Sequence, residues 1–294
     1  MTGLLLATPV ALLRRAAARL PLSPVRDGSV LAGKRVMVTG ASSGIGEATA
    51  RAVAARGAHV LLVARRADEL DRVAGEIRAA GGRASAYSCD LTDEDSVKVL
   101  VEAVLDEHGG VDMLVNNAGR SIRRSLSASY DRMHDFERTM EINYFAPVRL
   151  MLGLLPSMVE QGGGHVVNVL SWGVQVKAPK FAAYLASKTA LDVWSRVAGR
   201  ELYGDAVTFT NVRMPLVRTP MIGPTEVYAK SPALTPEQAA ARIVRALEDR
   251  PLTVDTTVGR IAEVFNLALP RLSDAVIHHV SRRFPDSKAA LGSD

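Results

Sequence analysis

RVMVTGASSGIG, residues 35–46, opens as a short run rich in β-branched side chains and closes as a glycine-rich turn. A run of that kind reads as a strand, and the stretch beyond the turn, through Arg56, reads as a helix. Glycines at 40, 44 and 46 give the spacing G-x-x-x-G-x-G rather than the more familiar G-x-G-x-x-G. The physics of the two is shared, because backbone without side chains lets a pyrophosphate approach the N-terminus of a helix. The plainer alternative is an ordinary tight turn.

The alternation continues outward from this stretch. HVLLVA is a second strand, followed by a charged helix to about Ala80, and ASAYS, VDMLVN, HVVNVL and VTFTNV read as further strands with helical segments between most of them. Near-continuous apolar strands joined by helices mean a parallel sheet covered on both faces. The expected fold is therefore α/β, a Rossmann-type doubly wound sheet whose ligands bind at the carboxyl ends of the strands. From about Gly259 the segments VFNLALPRL and DAVIHHVSRRF read as two helices separated by Pro270, a helical C-terminal extension. The expected division is residues 1–32, 33–258 and 259–294.

Composition narrows the function. The 294 residues are 48% hydrophobic, enough for a large core. Residues 1–35 hold six basic residues against Asp27 alone, which accounts for the whole net charge of +5. The nearly neutral body offers no clustered basic surface of the kind that nucleic acid requires. Cys89 is the single cysteine, so no intrachain disulfide forms, and a reducing, cytoplasmic setting is expected. No apolar run approaches the length of a membrane span. The six histidines show no ligand spacing, and no metal is expected. After Thr8 and Pro9, the segment VALLRRAAARL sets Arg14, Arg15 and Arg19 opposite Val10, Leu13, Ala17 and Leu20. It reads as a short basic amphipathic helix, with peripheral membrane contact through residues 9–20 and packing on the body or on a partner subunit both open. Its charges follow the apolar run, unlike those of a signal peptide.

Two motifs carry chemistry. The second strand ends in Ala64-Arg65-Arg66, where an NAD-selecting enzyme places a carboxylate for the ribose hydroxyls. An arginine there suits the 2′-phosphate of NADP(H), with Arg65 the main contact. In YLASK, residues 184–188, Tyr184 and Lys188 stand one helical turn apart and share a face. An ammonium beside a phenol makes the phenol a better acid.

With CDLTD, VNNAG, EINYF, NVLSWG and YLASK in this order and spacing, residues 33 to 255 resemble the short-chain dehydrogenase/reductases. The resemblance implies a catalytic tetrad of Asn143, Ser171, Tyr184 and Lys188. It places Gly40, Ser42, Ser43, Gly44, Ile45 and Gly46 on the phosphates, Asp90 and Leu91 at the adenine, Asn117 at the adenosine ribose and Thr219 at the nicotinamide carboxamide. Tyr184 would be the general acid, Ser171 would hold the substrate oxygen, Lys188 would also bind the nicotinamide ribose, and Asn143 would anchor a water in the proton relay. Lys188 and the oxidised nicotinamide together would favour the phenolate. Where the family has glycine after Pro215, this chain has Leu216. The stretches NNAGRSIRR, DRMHDFERTMEINYF and MPLVRTPMIGPT are similar to bacterial NADPH-dependent fatty acyl-CoA reductases, which implies a fatty acyl-CoA or another apolar carbonyl as substrate. Arg120, Arg123 and Arg124 are candidates for coenzyme A phosphates or for a solvated or structural role, and Cys89 reads as a small buried hydrophobe. The apolar helices after Gly259 would cover the acyl chain. The family also implies a homo-oligomer, dimer or tetramer.

Overall fold

The computed structural model describes residues 29–223, 228, 231–282, 284 and 286. The amphipathic segment at residues 9–20, and with it the expected membrane contact, lies outside the described residues. Seven strands, β1 Arg35–Thr39, β2 His59–Ala64, β3 Arg83–Ser88, β4 Met113–Asn116, β5 Gly164–Ser171, β6 Val207–Met214 and β7 Thr253–Val254, form one sheet. Their order is β3-β2-β1-β4-β5-β6-β7, and every pairing is parallel. The order reverses between β1 and β4, which is where an open α/β sheet binds ligands. The two-residue β7, paired with Asn211 and Val212, was not legible in the sequence because so short a strand carries no periodicity.

Alternate residues of each strand point to opposite faces, and both faces are apolar. Val36, Val38, Val60 and Leu62 pack under α1 (Gly44–Ala54), α2 (Ala67–Ala79) and the later helix Pro236–Asp249. Met37, Leu61 and Val63 face α3 (Glu94–His108) and the helices Ala146–Glu160 and Ala182–Glu201. α3 starts where the Asp93 carboxylate accepts from the amide of Asp95 and stops at Gly109, whose φ of 68° suits glycine.

The helix after β4 runs from Met133 to Glu160 as α4 (Met133–Met140), a π turn (Glu141–Phe145) and α5 (Ala146–Glu160). Within it an 18-residue window is apolar enough in composition to pass for a membrane span, yet half of that window is buried, with Leu150, Met151 and Leu154 on the sheet. Beyond β5 come α6 (Gly173–Val176), α7 (Ala182–Glu201) and α8 (Pro236–Asp249), the last opened by a reciprocal Thr235–Gln238 capping box. The tail forms two helices, α9 (Thr257–Ala268) and α10 (Pro270–Ser281), with Pro270 at the first turn of the second. α9 is docked on α6 by Asn266 Nδ2, which donates to the Gln175 carbonyl at 2.7 Å, and by Gln175 Nε2, which donates to Glu263 at 2.8 Å.

Three asparagines in register cross the middle of the sheet. Asn116 Nδ2 donates to Asn168 Oδ1 at 2.9 Å, and Asn168 Nδ2 donates to Asn211 Oδ1 at 3.1 Å. Asn211 in turn donates to Ser195 Oγ at 2.8 Å on α7. All four side chains are buried, so each depends on its neighbour for satisfaction. Asn168→Ala strands groups on both sides, and the expected loss is about 2–4 kcal/mol of unfolding free energy, since each unsatisfied buried group costs roughly 1–3 kcal/mol. Urea denaturation measures it, and a loss below ~1 kcal/mol would show that the ladder carries little stability.

Candidate active site

A cavity of about 1310 Å³ opens at the carboxyl ends of the strands. Its first wall is the turn between β1 and α1. Gly40 and Gly44 have φ of 66° and 57°, the region glycine tolerates. A Cβ on Gly46 would lie 2.1 Å from the Gly40 carbonyl oxygen and 2.6 Å from Asn117 Nδ2. Gly46 therefore sits beneath the turn, allowing the helix to start against the strand, while Gly40, Ser42, Ser43, Gly44 and Ile45 line the cavity. Ser43 precedes α1 without a side-chain cap. This cradle fits a pyrophosphate at a helix N-terminus.

Arg65, Arg66, Asp90, Leu91 and Asn117 line the same wall. The sequence ranked Arg66 second to Arg65, but Arg66 is the more anchored of the two. Its guanidinium donates to the Ser42 hydroxyl at 3.2 Å, joining the end of β2 to the glycine turn, whereas the largely exposed Arg65 stands 3.9 Å from the Asp90 carboxylate. Asp90 is itself oriented by Thr92, whose amide and hydroxyl donate to Oδ1 at 3.0 and 2.8 Å. Those bonds, the backbone one first, hold its carboxyl below the usual range. Asn117 Nδ2 donates to the Thr39 carbonyl at 2.9 Å, and Thr39 Oγ1 accepts from the amides of Asn117 and Ala118. Cys89 is buried beside Ser96, and burial pushes its thiol up.

Across the cavity, β5 ends at Ser171 and α7 presents Tyr184 and Lys188 on one face, all three as cavity lining. Thr219 stands beside Gly44, with its methyl 3.1 Å from where a Cβ would be. Lys188 is 4% exposed, and its Nζ donates to the Val169 carbonyl at 3.0 Å. Burial pulls this ammonium down to about 8. Burial also pushes the Tyr184 phenol up to about 12, opposed by its hydrogen bond to Ser171 and reinforced by Tyr228. The sequence argument had Lys188 and the nicotinamide favouring the phenolate. In the protein alone, desolvation is the largest influence on both groups and keeps the phenol protonated.

Asn143 occupies the π turn, behind the cavity rather than in it. Its side chain clamps the backbone of Arg120, accepting from the amide at 3.0 Å and donating to the carbonyl at 2.8 Å. It also donates to Ser187 Oγ at 3.0 Å, and Ser187 donates to the Tyr184 carbonyl at 2.7 Å. The side chain is thus engaged in three hydrogen bonds to two residues. Ser187 was missed in the sequence, where a serine inside a helix gives no signal. The π turn, a frequent device at functional sites, was equally invisible.

The three arginines after β4 separate. Arg124 pairs at 3.2 Å with Asp135, a nearly buried carboxylate also faced by Arg132 and Arg138. Arg123 donates to the Phe284 carbonyl at 2.9 Å, and Arg120 and Arg123 line the cavity. Leu216 causes no strain, because its φ is not positive, and its carbonyl accepts from the amide of Leu234 at 2.9 Å. No group of three or more metal-ligating side chains occurs among the described residues.

Lys188 makes a pH signature. The unfolded chain keeps this proton up to about 10.5, whereas the folded protein releases it near 8, a difference worth about 3 kcal/mol. Between those values the unfolded state binds more protons, so this group makes stability rise with pH. The expected outcome is that wild type gains up to about 3 kcal/mol on Lys188→Met from pH 8 towards 10.5 in denaturant titrations. A stability difference that stays flat across this window would contradict a buried ammonium.

Comparison with known proteins places most of the chain beside known oxidoreductases. The family model for short chain dehydrogenases matches residues 34–227. An uncharacterized oxidoreductase of Mycobacterium tuberculosis is 50% identical over 265 residues, covering 89% of this chain and 78% of that protein. A fatty acyl-CoA reductase of Acinetobacter baylyi is 47% identical over 260 residues, covering 88% of each chain. The L-sorbose reductase of Gluconobacter frateurii, solved with NADPH and L-sorbose, superposes with a TM-score of 0.70 at 27% identity, over 78% of this chain and 95% of that one.

Proposed function

The chain belongs to the short-chain dehydrogenase family and is an oxidoreductase, and from that premise we propose that it reduces long-chain fatty acyl-CoA to fatty aldehyde with NADPH. The observation that carries this reading is the shape of the cavity. At about 1310 Å³ it exceeds the 300–1,000 Å³ of a typical single-ligand site. One end is the polar cradle of glycine turn and arginines. The other is walled by apolar side chains, among them Val176, Phe181, Met221, Val258 and Val280. The near full-length likeness to a fatty acyl-CoA reductase points the same way.

The glycine turn, Arg65 and Arg66, Asp90, Leu91 and Asn117 would hold the dinucleotide, with Thr219, Tyr184 and Lys188 at its nicotinamide end. Bound there, the cofactor supplies a hydride to the thioester carbon. Ser171 holds the carbonyl oxygen, and Tyr184, protonated before the reaction, gives it a proton, forming a hemithioacetal on the substrate. Collapse of that adduct expels the coenzyme A thiolate, which takes up a proton, and leaves the aldehyde. Lys188 supports the phenolate formed at Tyr184, and Asn143 positions the Arg120 backbone and, through Ser187, the turn of α7 that bears Tyr184. No covalent thiol is needed, which accords with the buried Cys89. Leu152 on α5 and Val193 and Val197 on α7 are exposed apolar residues that fit a homo-oligomer through these helices.

With palmitoyl-CoA, NADPH consumption should match release of free thiol one to one, and Tyr184→Phe should lower kcat by about 10²–10⁴-fold while NADPH still binds. NADPH oxidation on apolar ketones but none on thioesters would instead make the protein a carbonyl reductase. For the cofactor, Ala64→Asp combined with Arg65→Gln should shift the NADPH/NADH ratio of kcat/KM toward NADH, because a carboxylate repels the 2′-phosphate and accepts from a ribose hydroxyl. If the ratio does not move, Arg66, anchored on Ser42, is the residue that selects the phosphate.

A further inference from the structure

The apolar end of the cavity has a roof, and the roof is fastened. α10 contributes Val276, Ile277 and Val280 to the lining, and Phe284 follows beyond its end. Residues 276 and 280 lie one helical turn apart and share a face. They remain 45% and 46% exposed, and Phe284 42%, although they line a cavity. These apolar side chains therefore cover the space without filling it.

The far end of the roof is tied to two loops from different parts of the chain. Lys180, in the loop between α6 and α7, donates from Nζ to the Phe284 carbonyl at 2.7 Å and stands 3.8 Å from the Asp286 carboxylate. Arg123, after β4, donates to the same carbonyl at 2.9 Å, and the Ser125 amide donates to Asp286 Oδ1 at 3.1 Å. Lys180 is held in place in turn, since its own carbonyl accepts from the Arg124 amide at 2.7 Å. Its φ is 70°, a conformation that a non-glycine residue keeps only when its surroundings impose it. Arg124 meanwhile is fixed on Asp135. A continuous set of contacts thus runs from the core of α4 to the last described residues of the chain.

We propose that α10 is the lid of an alkyl-chain subsite, and that the latch of Lys180 and Arg123 on Phe284 and Asp286 sets the length of chain the subsite accepts. The ligand class is a saturated hydrocarbon chain, lying under Val276, Val280 and Phe284. The lid lines the same cavity as Ser171 and Tyr184, so a chain beneath it leaves its polar head at the reacting groups. The inference rests on the acyl-CoA reading only for the identity of that head, because the chamber recognises the chain alone.

The test uses the full chain with bound NADPH and primary alkanols of six, eight, ten and twelve carbons, measured by calorimetric titration. Affinity should rise about fourfold for each methylene fully buried, up to the length the chamber holds. Val280→Trp, which takes up space under the lid, should end that rise at a shorter alkanol. Lys180→Met, which removes a donor from the latch, should lower the dodecanol-to-hexanol affinity ratio at least tenfold. No dependence on length in wild type, or the same dependence in all three proteins, overturns the proposal. Should Lys180→Met fail to fold, Val280→Trp decides alone, since a shift to shorter alkanols cannot come from unfolding. The alkanol series and the thioester assay fail independently. Length-dependent binding without thioester reduction sinks the acyl-CoA chemistry and keeps the lid, and thioester reduction without length dependence does the reverse.

Discussion

No side chain fits at position 46. The Gly40 carbonyl and the Asn117 amide already occupy that space, and the site is arranged around this exclusion. Because Gly46 lacks a Cβ, α1 can begin in contact with the end of β1, and its first turn faces the cavity. Asn117 joins the ends of β1 and β4 at the same place, its backbone and side-chain amides both donating to Thr39. The topological switch point is thereby held closed from below and open above, the geometry a phosphate-binding turn needs.

From that corner, polar groups carry order across an otherwise apolar sheet. The ladder Asn116–Asn168–Asn211 links β4, β5 and β6 and reaches α7 at Ser195. Higher on α7, Ser187 and Lys188 are bound to Asn143 and to the Val169 carbonyl. The helix that presents Tyr184 is therefore fixed at several points to strands and to the π turn. Burying so many polar groups is unfavourable unless each is paired, and nearly all are. The same burial drives Tyr184 and Lys188 in opposite directions, one towards the neutral phenol and the other towards the neutral amine. Titratable groups pushed apart by their environment are candidates for acid–base chemistry, and a protonated phenol is the form that the proposed reduction uses.

The other side of the cavity is assembled from late sequence. α9 rests on α6 through Gln175, and the segment beyond α10 reaches the loop after β4 and the loop between α6 and α7. The glycine-turn end of the cavity thus depends on the first half of the sheet and the apolar end on the tail. Such a division lets the apolar end vary while the glycine turn stays the same.

Much of this was legible in the sequence because it is local. Strand and helix periods, the glycine spacing, the arginines after β2 and the Tyr184–Lys188 turn are each set within a few residues, where backbone sterics and side-chain spacing act directly. The tail broke at Pro270 as read, since a proline opens a helix more readily than it continues one. The two-residue β7, the π turn at Asn143, the asparagine ladder, the anchoring of Arg66 on Ser42 and the docking of Phe284 and Asp286 were not legible. Each joins residues tens of positions apart, and none changes the local pattern of the chain. The opposed shifts of Tyr184 and Lys188 belong to the same group, because desolvation depends on what the whole fold packs around a group. The sequence by itself determined which residues could do chemistry. Only the tertiary structure decided how deeply each is buried and which partner it meets, because burial and long-range hydrogen bonds exist only once the sheet has closed around them.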